Sequence, residues 1–201
     1  MIDELLKIGN NARMKIKPLP PIEFLNECFD LSHETGRLFW KRERPLHHFK
    51  NTHGMRIHNS KWGGKEAGGI IKCSDGALRR IVRLFAKDHF LVHRIIFVMS
   101  GEPDPLGKQV DHIDGDPLNN LRSNLRVATN QTNNANVGRK TFMGKERHLP
   151  KCVYANGKRF QAKIKVNYRV ICLGTFDTPE QASEAYMNAA KIHFGEFAKQ
   201  D

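Results

Sequence analysis

Apolar and polar positions follow two different periods along this chain, and the changes of period mark its elements. From Ile22 the run IEFLNECF spaces its apolar residues as a helix does, and a turn signal at Thr35-Gly36 precedes a short apolar strand over residues 38–40. The stretch that follows, RPLHHFKNTHGMRIHNSKWGGKEAGG, shows neither period and predicts a long basic loop, with groups suited to lying along a phosphate backbone. Residues 69–73 and 78–85 predict a strand pair bridged by Ser-Asp-Gly, and residues 91–99 a buried helix closed by Gly101 and two prolines. Beyond it, Gln109-Val110 lead as a strand into Asp111-His112. A long polar loop follows, then a second strand over 125–127, and Thr129 is placed to cap a polar helix.

The last fifty residues are the most legible. A strand over 152–154, an Asn156-Gly157 turn, a strand over 159–166, an Asn167 turn and a strand over 169–176 predict a three-stranded antiparallel meander. In the middle strand Phe160, Ala162, Ile164 and Val166 alternate with Arg159, Gln161, Lys163 and Lys165, giving one apolar and one cationic face. Thr178-Pro179-Glu180-Gln181 is a capping box with proline at the first helical position. Ala182, Ala185, Tyr186, Ala189 and Ala190 then lay a small-residue stripe on the apolar sheet face, and Gly195 ends the helix.

Charge narrows the partner. The 201 residues hold 33 Lys+Arg against 21 Asp+Glu, a formal charge of +12, which predicts a polyanion. No stretch approaches the roughly 18 apolar residues of a membrane helix. The N-terminus, a short helical pattern over 1–8 running into KPLPP, lacks the apolar core of a signal peptide. The expectation is a cytoplasmic or nucleoid-associated protein with no membrane partner. Cys28, Cys73, Cys152 and Cys172 form no CxxC pair, which argues against a zinc ribbon and a disulfide scaffold.

The candidate chemistry lies in DHIDGDPLNNLRSNLRVATNQTNNAN. The segment resembles the HNH endonucleases, and the phosphodiester hydrolysis which that resemblance implies needs water activated near neutral pH and a cation to neutralise phosphate charge. Imidazole suits the first task, and oxygen ligands from a carboxylate and an amide suit a hard ion such as Mg²⁺, or Mn²⁺, better than zinc. Ideal alternation turns Asp111 and His112 to opposite sides, so a twist or bulge at the strand end is expected to bring both to one site. An EF-hand does not fit, because the twelfth loop position counted from Asp114 is Leu125. Within the HNH endonuclease family, the resemblance is specifically to the phage and intron-encoded homing type. That resemblance implies a ββα-metal core at about 108–136, with His112 as general base and Asn124 orienting the hairpin. It implies Asp111 and Asn133 as metal ligands, the third position being Asn where many relatives have His. His93 in LVHRII also matches the family's VHR-type helix, although a core histidine is the plainer reading.

GKRFQAKIKV, LGTFDTPEQASEAYMNAA and FGEFA resemble the plant ethylene-response-factor (AP-two type) DNA-binding domain. The resemblance implies a sheet in the major groove of double-stranded DNA, with contacts from Arg159, Gln161, Lys163, Lys165 and Arg169. Val170 and Cys172 stand where plant members carry Arg and Trp, so the target sequence does not transfer. The expected α+β architecture is an arm (1–21), an HNH nuclease domain (22–137), a linker (138–147) and an AP-two-like domain (148–201), a three-stranded antiparallel sheet packed on one helix. Two other functions compete with a homing endonuclease. One is a non-catalytic DNA-binding regulator with a degenerate nuclease domain. The other is an RNA-binding accessory protein, disfavoured because the sheet shows no aromatic residues placed to stack bases.

Overall fold

A computed structural model describes residues 17–73, 76–85, 88–136 and 148–199. The expected helix over 1–8, part of the Ser-Asp-Gly bridge and the linker over 138–147 lie outside these residues. The mixed helix and sheet class is as expected. Helix α1 (Ile22–Cys28) runs into strand β1 (Phe29–Ser32), which pairs antiparallel with β2 (Arg37–Trp40). Gly36 makes their turn at φ 63°, and its missing side chain lets the Asn120–Leu121 backbone close onto the hairpin: a Cβ there would lie 2.5 Å from Asn120 C.

The stretch expected as a loop is partly helical. After a 3₁₀ turn at Leu46–His48, helix α2 (Thr52–Trp62) is capped by Asn51, whose side chain accepts from the Gly54 amide. No residue of α2 is buried, so its sequence carries no apolar stripe to announce it. Strands β3 (Gly69–Lys72), β4 (Leu78–Phe85) and β5 (Asp88–Leu91) form an antiparallel sheet, its third strand unforeseen. β5 feeds α3 (Val92–Met99), whose first six residues are all buried. Residues 17–19 also belong to this body, since the Leu19 amide donates to Asp104 Oδ2 and Arg94, paired with Asp104, donates to the Lys17 carbonyl.

Strands β6 (Gln109–His112) and β7 (Leu125–Ala128) then pair antiparallel, and α4 (Asn130–Asn136) follows, with Thr129 Oγ1 accepting from the Thr132 amide. This is the strand, loop, strand, helix order expected. The first apolar core takes its residues from α1 through β7, among them Leu25, Phe29, Leu38, Ile95, Ile96 and Leu125.

The C-terminal meander is β8 (Val153–Asn156), β9 (Arg159–Val166) and β10 (Arg169–Phe176), in the order β10-β9-β8. Helix α5 (Pro179–Phe194) covers its apolar face, and the Thr178 side chain accepts from the Gln181 amide at 3.3 Å as the capping box requires. Ala162, Ile164, Ala182, Tyr186 and Ala190 centre a second core, which Ala135 of α4 joins. Helix α4 therefore packs into the core of the C-terminal unit as well as against β6 and β7. Gly195, at φ 55°, turns the chain from α5 into a 3₁₀ turn at Gly195–Phe197.

Candidate functional site

The β6–β7 register is regular from Gln109↔Ala128 to His112↔Leu125, so the expected bulge is absent. Without a bulge, the twist of the strand pair is what has to turn Asp111 and His112 toward one phosphate; each is 8% exposed, enclosed by different neighbours.

On one side His112 Nε2 lies 2.9 Å from Asn120 Oδ1, and its ring meets His93 of α3 edge-on at 4.8 Å between centroids. An amide oxygen only accepts, so Nε2 carries the proton and Nδ1 keeps its lone pair. His93 is pushed down to about 3, first by burial and then by His112, Arg79 and Arg94, and so stays neutral beside His112.

The other side is organised by α4. Gln109 and Asp111 share a strand face, and Asn133 and Asn136, at i and i+3, share a helix face. Asn133 Nδ2 donates to Gln109 Oε1, while Asn136 Nδ2 donates to Asp111 Oδ2 at 3.0 Å and to the His112 carbonyl at 2.7 Å. Arg126 Nε, across the strand pair, reaches the same Asp111 Oδ2 at 3.3 Å. Among the described residues no hydrogen bond reaches Asp111 Oδ1 or Asn133 Oδ1. A carboxylate oxygen and an amide oxygen without partners are the donor types a hard divalent cation takes, so the chemistry of these two residues suits such an ion.

Asn124, in the 3₁₀ turn before β7, is buried in the connecting loop. Its Nδ2 donates to Asp114 Oδ1 at 2.9 Å and to the Asn119 carbonyl at 2.8 Å, and its Oδ1 accepts from the Asp114 amide at 3.0 Å. Burial works to raise the Asp114 carboxyl, but the donors Asn124, the Asp116 amide and Asn119 outweigh it and hold the group below its ordinary value. Asp114 is thus satisfied by donors of its own loop.

Sequence reasoning singled out Asp111, His112, Asn124 and Asn133. It missed Asn120, Arg126 and Asn136, although the i, i+3 spacing from Asn133 was a signal for the last.

Away from this hairpin, Glu27, His47 and His48 bring three ligand atoms within 4.8 Å of one another. Both imidazole Nε2 atoms lie 2.8 Å from Glu27 Oε2. Arg44 Nε donates to His48 Nδ1 at 3.3 Å, which fixes the His48 proton on Nε2 and commits that nitrogen to Glu27 rather than to a cation. Glu27 is held low, chiefly by its hydrogen bond to His47.

On the C-terminal sheet, Arg159, Gln161, Lys163 and Lys165 occupy alternate positions of β9 and so share one face. Arg169 pairs with Val166 and falls on the side of the apolar residues, at the exposed end of the sheet. Lys163 and Lys165 hold their ammonium groups over Tyr154 and Tyr168, at 5.6 and 5.8 Å. Both tyrosines are exposed, so aromatic rings are present on this unit where none were expected. Arg159 pairs with Asp177 at 2.8 Å, and Gln161 Nε2 approaches Cys172 Sγ at 3.1 Å.

Residues 90–135, from β5 to the last turn of α4, match the family model described as HNH endonuclease. The chain is 35% identical over 108 residues to an uncharacterized HNH endonuclease of Acanthamoeba polyphaga mimivirus, covering 53% of this chain and 54% of that protein. Among solved structures it is similar to the HNH homing endonuclease I-HmuI, described for DNA binding and cleavage, with 26% identity over 54% of this chain and 50% of that one and a TM-score of 0.33. The chain thus spans about half the length of these relatives. The family model and the mimivirus relative support an HNH endonuclease segment. No helix among the described residues is long and apolar enough to cross a membrane.

Proposed function

We propose that the protein is a metal-dependent DNA endonuclease of the HNH homing type. The observation that carries this reading is the His112–Asn120 hydrogen bond, which leaves His112 Nδ1 free to accept a proton. In the reaction Nδ1 takes the proton of a water whose oxygen attacks phosphorus, and the bond from phosphorus to the sugar oxygen breaks. Asn120 keeps the imidazole in the competent tautomer, and Asn124 fixes the loop between the two strands. Asp111 and Asn133 would hold the divalent cation, Mg²⁺ before Mn²⁺, through their spare oxygens. Such an ion neutralises charge on the phosphate and the leaving oxygen.

The assignment divides the chain into a nuclease domain at 22–137 and a DNA reader of AP-two type at 148–201. The reader presents Arg159, Gln161, Lys163 and Lys165 to double-stranded DNA, with Arg169 at the rim. Alternating cations on an open sheet face, backed by a helix, suit phosphate and base contacts together. The protein would act in the cytoplasm, where DNA is accessible.

Nicking of supercoiled plasmid with Mg²⁺, Mn²⁺ or EDTA, by the wild-type protein and His112→Ala, tests the proposal. Relaxation that needs the ion and is lost in the variant is expected. DNA binding with no relaxation under any ion would favour the regulator instead.

A further inference from the structure

Arg126 stands between the two units. Its side chain is 10% exposed, and the three guanidinium nitrogens have three different fates. Nε faces Asp111 Oδ2 at 3.3 Å, Nη1 donates to the carbonyl of Glu196 at 3.1 Å, and Nη2 is buried with no partner among the described residues. Phe197 stacks on the guanidinium at 3.6 Å from Cζ to the ring centroid. The C-terminal tail therefore covers one face of Arg126 and holds one of its edges. A second tie fixes the tail, because Lys199 Nζ donates to the Asp114 carbonyl in the loop between β6 and β7.

A guanidinium is a rigid planar fork, so fixing one edge and one face fixes the third direction as well. Here that direction is the Nε–H aimed at Asp111. Arg126 and Asn136 both engage Oδ2, which sets the carboxylate rotation and leaves Oδ1 as the oxygen presented. An arginine serving only to brace the hairpin would be expected to satisfy all its nitrogens, as buried polar groups usually do. With Nη2 unpaired among the described residues, the contacts that hold Arg126 are those to Asp111, Glu196 and Phe197.

We propose that Arg126 is a positioning residue for Asp111 and that the C-terminal tail, through Phe197 and Glu196, holds it in place. The inference rests on the nuclease reading above. It makes the C-terminal unit part of the cleavage site by direct contact, besides any role in holding DNA.

The test uses the full chain and three readouts: Mn²⁺ affinity by calorimetry without DNA, kcat and KM on supercoiled plasmid, and thermal melting. Loss of a group that orients a metal ligand typically costs about 10- to 100-fold in metal affinity or activity. Arg126→Gln is expected to weaken Mn²⁺ binding and lower kcat by that order, with KM for DNA little changed. Phe197→Ala should move both quantities in the same direction by a smaller factor, and Phe197→Tyr should restore them. Arg126→Lys, which keeps the charge but not the fork, should not. Ile192→Ala, on the exposed side of α5, serves as the control and should change nothing.

If Arg126→Gln melts without cooperativity, Phe197→Ala carries the test, since it keeps both Asp111 and Arg126 and removes only the ring that covers Arg126. Wild-type kcat and Mn²⁺ affinity in Phe197→Ala would overturn the proposal. So would tighter Mn²⁺ binding in Arg126→Gln, which would make Arg126 a competing charge. A wild-type protein that neither nicks DNA nor binds Mn²⁺ would remove the nuclease reading itself, an outcome distinct from an active wild type indifferent to Phe197.

Discussion

His112 has two ring nitrogens, and its neighbours decide which would serve as the proposed base. With Asn120 accepting from Nε2, replacement of His112 by Ala should cost roughly 10²- to 10⁴-fold in cleavage rate while DNA affinity in a filter or mobility assay stays close to wild type. His93 is a different case. Its pKa in the folded protein is about 3, far below the ordinary 6.5, because burial disfavours the cation. In that window the unfolded chain binds the proton and the folded one does not. The stability it lends is thus present in full above pH 6.5 and is lost progressively as pH falls toward 3. Denaturant melts of His93→Leu should show a shallower pH dependence than wild type across that range, and an unchanged dependence would remove His93 as its source. Thiols separate in the same way: Cys28, fully buried and pushed up to about 11 by burial, should resist a thiol reagent at pH 8 that labels exposed Cys172 quickly.

At the scale of elements, the loop joining β6 to β7 is held by Asn124 from inside. Asn124→Ala would remove the side-chain bonds to the Asp114 amide and the Asn119 carbonyl, so unfolding experiments should show a loss of about 0.5–1.5 kcal/mol for each bond. Such elements were legible because their signals are local. Thr178 with Pro179, the Asn156-Gly157 turn and the alternation from Arg159 to Val166 each state their structure within a few residues. Helix α2 was not legible, because it buries nothing and an amphipathic stripe is what a sequence displays. The short strand β5 lacked a pattern long enough to show a period. In the site itself, Asp111 and His112 were visible as residue types. Asn120, Arg126 and Asn136 acquire their roles through loop closure, strand register and tail docking, none of which is written in adjacent residues.

On the scale of the whole molecule, the two cores are joined at α4, so removing the C-terminal unit does more than remove the proposed DNA-binding face. A truncation after Arg139 should bind DNA with a shallower dependence of log K on log salt, by about 0.9 for each phosphate no longer neutralised. It should also cut more slowly at saturating DNA, because Phe197 and the cover over Ala135 go with it. Titrations at several salt concentrations, with single-turnover rates, separate the two effects. The first core makes a similar long connection at Gly36. The turn of the β1–β2 hairpin touches the backbone of Asn120, the residue that sets the His112 tautomer, and leaves no room there for even a methyl group. A random-mutagenesis screen for cutting-defective proteins should therefore return Gly36 alongside His112. The mutational target for cutting thus extends to a hairpin that no map of DNA contacts would mark.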